Sequence, residues 1–277
     1  MTRLKHEDVV EIPTTLEDYD QQLIDKTGCS LKELAARAAG LQANIEVNQL
    51  QLKVAVIPMS CGQGIIEGFA ESVTGIISYL GFKALTTKSW DAGGVAEAIQ
   101  EGAEVLFMAD DERFVAVNVR TGKVSDNGDA TGRGYAVGLE RMSNGLEGKK
   151  VLVIGAGPVG VGAAIALAGF RAEVGVYDIV SASSERLQEN LRRLGYRVTI
   201  ETDLNAALNH YQNIVDACPA ENIILLEHIT ENTRIAAPGI PLGVQADGLK
   251  KVSTRLLHDP LHIGVGTMMF DVLIDSL

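Results

Sequence analysis

Short apolar segments alternate with amphipathic stretches over most of this chain of 277 residues. In the first half, apolar segments at 54–57, 83–86 and 104–108 alternate with helical patterns at 64–80 and 94–101. In the second half, the apolar segments lie at 150–154, 173–177, 197–201, 213–217, 233–236 and 255–257, with helical patterns at 158–169, 183–194 and 264–275. Strands that alternate with helices indicate βαβ units and therefore parallel sheets.

Two helices are predicted before the first strand, at 16–26 and 31–43, with Gly28 between them. Thr15 stands three residues before Asp18, and Ser30 stands three residues before Glu33. At this spacing the hydroxyl and the carboxylate satisfy free backbone donors of the first helical turn. We therefore predict that Thr15 and Ser30 begin the two helices.

The middle of the chain predicts a strand at 115–118 with a short partner around Thr121-Gly-Lys123, then a loop at 126–129 and a helix at 134–144. The polar, glycine-containing segment 144–148 is the best candidate for a domain boundary. We predict an α/β protein of two domains. Residues 1–147 form a helical segment and a smaller α/β substrate domain with parallel strands, and residues 148–277 form a Rossmann domain, a doubly wound parallel sheet that ends in a helix.

Charge and cysteine content narrow the class of function. The formal net charge of −12 repels nucleic-acid phosphates and anionic membranes, and no local basic patch overrides it, so we expect no nucleic-acid partner. The three cysteines are far apart and form no CxxC pair, which is typical of a reducing, cytoplasmic location. Residues 1–20 carry charges throughout, which predicts no signal peptide. The charge-free run 151–170 is interrupted by glycines and predicts a strand and a helix rather than a membrane span.

A glycine motif follows the strand at 150–154. Gly155-Ala-Gly157-Pro158-Val159-Gly160 is a G-x-G-x-x-G sequence that opens an alanine-rich helix. In a dinucleotide site, the first glycine permits the tight turn, the second lets the backbone approach the pyrophosphate, and the third lets helix and strand pack closely. The helix N-terminus offers free N–H groups to the phosphates.

An acidic residue supports this interpretation, because a glycine turn alone also occurs for packing. Asp178 ends the next strand, 18 residues after Gly160, where a carboxylate accepts hydrogen bonds from the adenosine ribose. Its charge repels a 2′-phosphate, and no arginine follows it in residues 179–184. We therefore predict NAD rather than NADP as the cofactor.

Later strand ends are expected to line the same site. Ala217-Cys218-Pro219 follows the fourth strand, and Pro238 follows the fifth, which passes near the nicotinamide in such folds. We interpret Cys218 as a small buried residue beside the cofactor rather than as a catalytic thiol.

In the first half, the turn that contains Ser60 and Cys61 and the pair Asp110-Asp111 end neighbouring strands. Carboxylates there suit a cationic amine substrate, although a glycine-rich connection and a solvated loop explain the same residues. His258 and His262 have the i, i+4 spacing of metal ligands, but Pro260 lies between them and disfavours a regular helix, so we predict no metal. The G-G-x-K-G stretch of amino-acid dehydrogenases and the lysine motif of shikimate dehydrogenases are absent.

Beyond the glycine motif, several short motifs resemble the pyrrolysine synthase (PylD) family, over most of the chain from about Pro13 to Asp271. They are Val54-Ala-Val-Ile-Pro58, Gly62-x-Gly64-Ile-Ile66, Tyr79-x-Gly81-Phe82, Met108-Ala-Asp110-Asp111, Pro238-Gly-Ile-Pro241 and Pro260-Leu-x-Ile-Gly264. Together they are far more specific than the glycine motif.

The resemblance implies an oxidoreductase that completes pyrrolysine biosynthesis. Its substrate is lysine that carries 3-methyl-D-ornithine on the ε-amine (lysyl-methylornithine), and NAD oxidises the terminal primary amine to an imine or aldehyde that cyclises. The resemblance also implies that Asp110 holds the substrate amines and that Ser60 or Cys61 contacts it. It further implies that Asp259 takes the place of a family glutamate and that residues 14–26 correspond to the family's first helix, which covers the active site. The matching motifs predict no general base.

Two other functions stay open at this point: a dehydrogenase of another small amine or amino acid, and a non-enzymatic NAD-sensing module. The first shares fold and cofactor, and the second leaves the acidic strand ends unexplained. The partner is expected to be a small-molecule substrate, and the sequence does not decide whether the protein is a homodimer.

Overall fold

A computed structural model describes residues 4–42 and 52–274. Contacts divide the chain into two compact units. Unit 1 comprises Met1–Gln22, Ser30–Ala130 and Pro260–Leu277, and unit 2 comprises Leu23–Cys29 and Thr131–Asp259.

Unit 1 is built on a five-stranded sheet with the strand order β2-β1-β3-β4-β5. Its strands are β1 (Lys53–Ile57), β2 (Lys83–Thr86), β3 (Val105–Ala109), β4 (Phe114–Asn118) and β5 (Val124–Asp126). The first three are parallel, and β4 and β5 pair antiparallel at one edge. The predicted parallel strands and hairpin are therefore confirmed, and the ends of β1 and β3 are neighbours.

Along the chain, the helices that begin in unit 1 come before, between and after these strands. They are α1 (His6–Val9), α2 (Ile12–Thr27), α3 (Leu31–Ala38), α4 (Phe69–Tyr79), α5 (Asp91–Gln100), α6 (Asn127–Met142) and α11 (His262–Asp271). Of these, α2 and α6 continue into unit 2. Residues Val105, Phe107 and Ala55 have no exposed surface, as expected for strands that are covered on both faces.

The helix boundaries correct several predictions. Thr15 does not begin a helix: α2 starts at Ile12, and the Thr15 hydroxyl donates to Glu11 O at 3.0 Å. Pro13 fits this earlier start because proline is tolerated in the first turn. Ser30 is confirmed as an N-cap, with its backbone N–H donating to Glu33 at 2.8 Å. That helix ends at Ala38 rather than 43, and residue 43, like residue 275 at the predicted end of the last helix, lies outside the described residues.

Two further helices differ from their predicted extents because of local backbone geometry. Helix α4 begins at Phe69 rather than 64, after Gly68 with φ of 85°. Helix α6 begins at Asn127 rather than 134, so the predicted loop at 126–129 is mostly helical. The Asp126 side chain accepts a hydrogen bond from Gly128 N at 3.0 Å, which supports the first turn of α6.

The predicted domain division differs from the compact units. The division falls inside α6, between Ala130 and Thr131, instead of after residue 147. A boundary inside a continuous helix carries no linker composition, so the glycines at 144–148 were misleading. The last helix, α11, belongs to unit 1, where it packs against α3 and α4. A Cβ added at Gly266 would lie 3.1 Å from Ala35 Cβ, which shows how closely α11 and α3 approach.

Unit 2 contains a six-stranded, wholly parallel sheet with the strand order β11-β10-β9-β6-β7-β8. Its strands are β6 (Lys150–Ile154), β7 (Glu173–Tyr177), β8 (Val198–Ile200), β9 (Asn213–Asp216), β10 (Arg234–Ala236) and β11 (Leu256–Leu257), and its helices after α6 are α7 (Pro158–Gly169), α8 (Ser181–Arg193), α9 (Leu204–His210) and α10 (Ala246–Val252). Read from β8, this order is the doubly wound Rossmann order 3-2-1-4-5-6. The predicted Rossmann fold is confirmed.

The direction of chain progression reverses between β6 and β9, which are neighbours. Ligands of open α/β sheets bind outside the carboxyl ends of the strands at such a switch point. The fold therefore directs attention to residues that follow Ile154 and Asp216.

Candidate functional site

The glycine turn after β6 has the backbone conformation that the motif predicts. Gly155 has φ of +95°, a region that residues with a side chain rarely adopt. Its N–H donates to Tyr177 O at 2.8 Å, and an added Cβ would lie 2.9 Å from Ala217 O. The turn is therefore pressed against the end of β9, across the switch point.

Gly157 and Gly160 differ in their surroundings. A Cβ added at Gly160 would lie 1.8 Å from Gly155 O, whereas one added at Gly157 meets no protein atom within 4 Å. Gly157 has extended backbone angles and is the N-cap of α7, which begins with Pro158 followed by Val159. Gly160 is thus required by packing, and Gly157 borders open space at a helix N-terminus. That space suits a phosphate group.

Asp178 lies at the end of β7, directly beside this turn. Its Oδ2 accepts a hydrogen bond from Ala156 N at 2.7 Å, and its Oδ1 accepts one from Val180 N at 2.8 Å. The carboxylate therefore stands at the edge of the glycine loop. Ile179, the next residue, is 90% exposed, which leaves an apolar surface beside the carboxylate.

The ends of β9 and β10 complete this group. Ala217-Cys218-Pro219 follows β9, and Gly239 N, next to Pro238, donates to Asp216 O at 3.0 Å. In unit 2 the structure thus brings together the glycine turn and the strand-end residues that the sequence predicts for the cofactor.

Cys218 is held as a neutral thiol. Its Sγ donates to Asp216 Oδ1 at 3.2 Å. Burial, reinforced by the Asp216 carboxylate, raises the pKa of the Cys218 thiol to about 12. A thiol with such a pKa is not a nucleophile near neutral pH, which argues against a catalytic thiol. The side chain is half-buried rather than buried as predicted.

Asp259 is buried, and Tyr135 of α6 is its partner. The Tyr135 hydroxyl donates to Asp259 Oδ2 at 2.8 Å and accepts from Asp259 N at 2.8 Å. Burial, and then the Asp259 charge, raise the pKa of Tyr135 well above its ordinary value. Asp259 is therefore fixed by the protein rather than free in a loop, and nothing in the sequence marks Tyr135 as its partner.

In unit 1, the two predicted strand-end loops meet. Gln63 N donates to Asp111 Oδ2 at 2.7 Å. The neighbouring Asp110 Oδ1 accepts hydrogen bonds from Arg113 N and Glu112 N at 2.7 and 2.8 Å. These bonds lower the pKa of the exposed Asp110 carboxyl, so it is an anion at neutral pH.

Ser60 is oriented by Asp91, which begins α5. Ser60 N and Oγ donate to the two Asp91 carboxylate oxygens at 2.8 and 2.5 Å, and these bonds lower the pKa of Asp91. Asp91 has φ of 51°, an uncommon conformation for a residue with a side chain. The adjacent Cys61 is exposed. The predicted residues Ser60, Cys61 and Asp110 thus stand on two loops at one edge of the unit 1 sheet.

A groove of about 850 Å³ lies elsewhere in unit 2. It is lined by the first residues of β6, β7 and β8, and therefore lies at the amino edge of the sheet. The lining carries two carboxylates and four cations: Glu173, Glu201, Lys150, Arg171, Arg192 and Arg197. Arg171 pairs with Glu147, and Arg192 shares Glu189 with Arg193. The groove therefore lies at the edge of the sheet opposite the glycine turn, and two of its cations are already paired.

The two histidines of the i, i+4 pair have separate surroundings. His258 Nδ1 lies 2.7 Å from Ala237 O, and His262 is buried and stacks on Tyr19 with ring centroids 3.9 Å apart. Within residues 4–42 and 52–274, no three His, Cys, Asp or Glu side chains are grouped as metal ligands. In the same ranges, no helix combines the length and apolar character needed to cross a bilayer.

Comparisons with known proteins agree over nearly the whole chain. The family model "Pyrrolysine biosynthesis protein PylD, N-terminal domain" matches residues 8–125. The pyrrolysine synthase of Methanosarcina barkeri is 32% identical over 99% of this chain and 98% of its own length. That of Methanosarcina acetivorans is 31% identical over 99% and 100%.

This chain belongs to the pyrrolysine synthase family. The resemblance that the sequence motifs predicted is therefore confirmed. A second model, "Alanine dehydrogenase/PNT, C-terminal domain", matches residues 128–225 of this pyrrolysine synthase family member, a range that contains the glycine turn and Asp178.

Solved structures share the fold of this family member. Quinate dehydrogenase from Corynebacterium glutamicum, in complex with NAD, aligns with a TM-score of 0.55 and 14% identity over 80% of this chain and 93% of its own. Shikimate dehydrogenase from Aquifex aeolicus aligns with a TM-score of 0.52 and 15% identity over 81% and 90%. The chain thus shares the fold of these two proteins, although the lysine motif of shikimate dehydrogenases is absent from its sequence.

The glycine turn of this pyrrolysine synthase family member generates a prediction about stability. We expect Gly160→Ala to lower the free energy of unfolding by roughly 1–3 kcal/mol, because the new methyl group overlaps Gly155 O. Gly157→Ala is the matched control. Its methyl group points into open space, so we expect a loss of at most about 1 kcal/mol, from the change of N-cap residue alone, and a smaller loss than in Gly160→Ala. Urea denaturation followed by circular dichroism measures both. Equal losses in the two variants would contradict the described packing.

A second prediction concerns pH. Burial raises the pKa of Asp216 to about 6, above the ordinary value of an exposed aspartate. In the unfolded chain this carboxyl is exposed and has the lower pKa, so it loses its proton first as the pH rises. The folded state therefore becomes less stable relative to the unfolded state. Relative to Asp216→Asn, we expect the unfolding free energy of the wild type to fall by about 3 kcal/mol between about pH 4 and 6, and to level off above about pH 7. A difference between the two proteins that does not vary with pH, measured by urea denaturation, would show that Asp216 is not desolvated as described.

Proposed function

We propose that this chain completes pyrrolysine biosynthesis as an NAD-dependent oxidoreductase. Its substrate is lysyl-methylornithine, the amide of the lysine ε-amine with 3-methyl-D-ornithine. The terminal CH–NH₂ group loses a hydride and a proton and becomes an imine, which the other ornithine amine attacks to close the pyrroline ring with release of ammonia. Family membership over 99% of the chain is the observation that carries this proposal.

The cofactor residues are proposed from their place in the Rossmann unit. The diphosphate would lie against Gly155–Gly160, over the open space beside Gly157, and the adenosine ribose would bind Asp178. The residues Ala217, Cys218, Pro219 and Pro238 would contact the remainder of the cofactor. When bound, NAD supplies the hydride acceptor, while these protein groups bind and orient it.

The choice of NAD over NADP rests on charge. The Asp178 carboxylate would repel a 2′-phosphate on the ribose whose hydroxyls it binds. No cation of residues 179–184 follows it to compensate. A 2′-phosphate would therefore bring two negative groups together without a partner, which costs affinity.

The substrate residues are proposed on the acidic strand ends. Asp110 is an exposed carboxylate whose lowered pKa keeps it charged, so it suits a substrate ammonium group. Ser60, held by Asp91, or its neighbour Cys61 would contact the substrate from the adjoining loop. Asp259, fixed by Tyr135, would take the position of the family glutamate with a side chain one methylene shorter.

The decisive experiment is an assay of the purified chain with NAD and lysyl-methylornithine. We expect substrate-dependent absorbance of NADH and a product whose mass corresponds to ring closure. Lysine and ornithine are the controls, because their turnover without turnover of the amide would identify a different amine dehydrogenase. Binding of NAD with no turnover of any amine would instead favour a sensing module.

The open space beside Gly157 generates a prediction about binding. We expect Gly157→Ala to weaken NADH binding at least about tenfold, because the methyl group would occupy the space proposed for the diphosphate. Its fold should be intact for the reason given above. Fluorescence titration with NADH measures the dissociation constant. An unchanged constant would remove the diphosphate from this turn.

Asp110 generates a prediction about the substrate. Asp110→Asn keeps an oxygen to accept from Glu112 N and Arg113 N, so the loop is preserved while the charge is lost. We expect the KM for the amine substrate to rise roughly ten- to a hundredfold, the cost of one charged hydrogen bond, with NADH affinity unchanged.

Glu112→Gln is the matched control for Asp110→Asn, because it removes a charge from the next but one residue, which is also exposed. It should leave both parameters near the wild-type values. Equal effects of the two substitutions on KM would indicate a general field effect and would contradict a specific contact at Asp110.

A further inference from the structure

Asp216 is a buried carboxyl at the switch point that the proposed chemistry does not use. It ends β9, next to β6, and has no exposed surface. It is in register with Ile154, the residue before the glycine turn, and Ala217 follows it in the chain. Asp216 therefore lies next to the residues proposed to bind the cofactor, but it is not itself exposed.

The two carboxylate oxygens reach two different loops. Oδ1 accepts from Cys218 Sγ at 3.2 Å and, more weakly, from Cys218 N at 3.4 Å. Oδ2 accepts from Gly243 N at 3.1 Å. One side chain therefore joins the loop after β9 to the loop after β10.

The second loop lies in backbone contact with Asp216 and the residues after it. A Cβ added at Gly243 would lie 2.2 Å from Asp216 Oδ2, and one added at Gly239 would lie 2.3 Å from Cys218 O. Gly239 N also donates to Asp216 O at 3.0 Å. The loop from Pro238 to Gly243 therefore rests on the end of β9 at three points, and the carboxyl group is one of them.

The burial of this carboxyl lowers the stability of the folded state. Among residues 4–42 and 52–274, no cation forms an ion pair with it. The charged or titratable groups around it are Cys218 and His258, with Asp178 acting on Cys218. Burial raises its pKa to about 6, so the carboxylate is unfavourable there at neutral pH. Costly polar groups next to a proposed site are candidates for a functional role.

We propose that Asp216 is a positioning residue of the cofactor site, which acts through Cys218 and Gly243 by holding the loops after β9 and β10 in one arrangement. The inference rests on the proposed NAD site, because those loops carry Ala217, Cys218, Pro219 and Pro238. It concerns the chain's own loops and assigns Asp216 no contact with the cofactor. Its effect is expected on cofactor affinity rather than on the chemical step.

Two substitutions at Asp216 show whether its polar contacts position the two loops or whether the side chain only fills space. Asp216→Asn keeps an oxygen that accepts from Gly243 N and places an NH₂ group beside the Cys218 sulfur. Asp216→Leu has the same branching and number of side-chain heavy atoms, is bulkier by its hydrogens, and removes both polar contacts. Because leucine is favoured at a buried position, loss of folding is not the expected consequence of this change.

The experiment measures NADH binding by fluorescence titration for the wild type and both variants, with urea denaturation of each. We expect Asp216→Asn to bind within about threefold of the wild type, and Asp216→Leu to bind at least about tenfold more weakly. In steady-state assays the KM for NAD should rise in Asp216→Leu, while the KM for the amine should not. Asp247→Leu, the same change at an exposed site of unit 2, is the control.

The outcomes distinguish this inference from the function on which it rests. Absence of NADH binding by the wild type would overturn the proposed function, and the inference with it. If the wild type binds NADH and folded Asp216→Leu binds it equally well, only the positioning role is overturned. If Asp216→Leu does not fold, Gly243→Ala tests the same contact, because its methyl group would displace the loop from the carboxyl. Unchanged NADH affinity in the folded Gly243→Ala variant would overturn the inference.

Discussion

The structure of unit 2 depends on how closely the backbone packs at the turn between β6 and α7. The carbonyl of Gly155 lies where a side chain of Gly160 would have to be, and Gly155 itself lies against the carbonyl of Ala217. These contacts set α7 against the sheet and hold the turn at the switch point between β6 and β9. At Gly157 the same turn borders open space. Gly160 is therefore needed because protein atoms leave no room for a side chain, whereas Gly157 leaves room that a ligand could occupy.

Three carboxylates show how position changes the chemistry of one residue type. Asp110 is exposed and accepts from two backbone N–H groups, so its pKa is lowered. Asp216 is buried, and this burial raises its pKa in spite of the hydrogen bonds that it accepts. Asp178 joins the glycine loop to the end of β7 through the hydrogen bond that it accepts from Ala156 N. An exposed anion suits a cationic substrate, a buried acid suits a structural contact, and an acid at a loop edge suits hydroxyl recognition.

Much of this arrangement could be predicted from sequence, because it is local. Alternating apolar segments gave the strands of both sheets, and the glycine motif gave the turn, since both patterns are read within about ten residues. The domain division could not be predicted, because α6 is continuous across it and α11 returns to unit 1 through contacts with α3. The same limit applies to the partners of the site residues: Tyr135 and Asp259 are 124 positions apart, and Asp216 and Gly243 are 27 apart. A local pattern can also mislead: Thr15 and Asp18 have the spacing of a helix start, but the helix begins earlier, at Ile12.

We propose that a dinucleotide binds at the switch point with its ribose on Asp178. A competition titration of the purified chain with NAD and NADP, repeated with Asp178→Ala, tests this proposal. We expect the wild type to prefer NAD by at least about tenfold, and this preference to disappear largely in the variant because the repelling charge is gone. Equal affinity of the wild type for both dinucleotides, or no affinity for either, would contradict it.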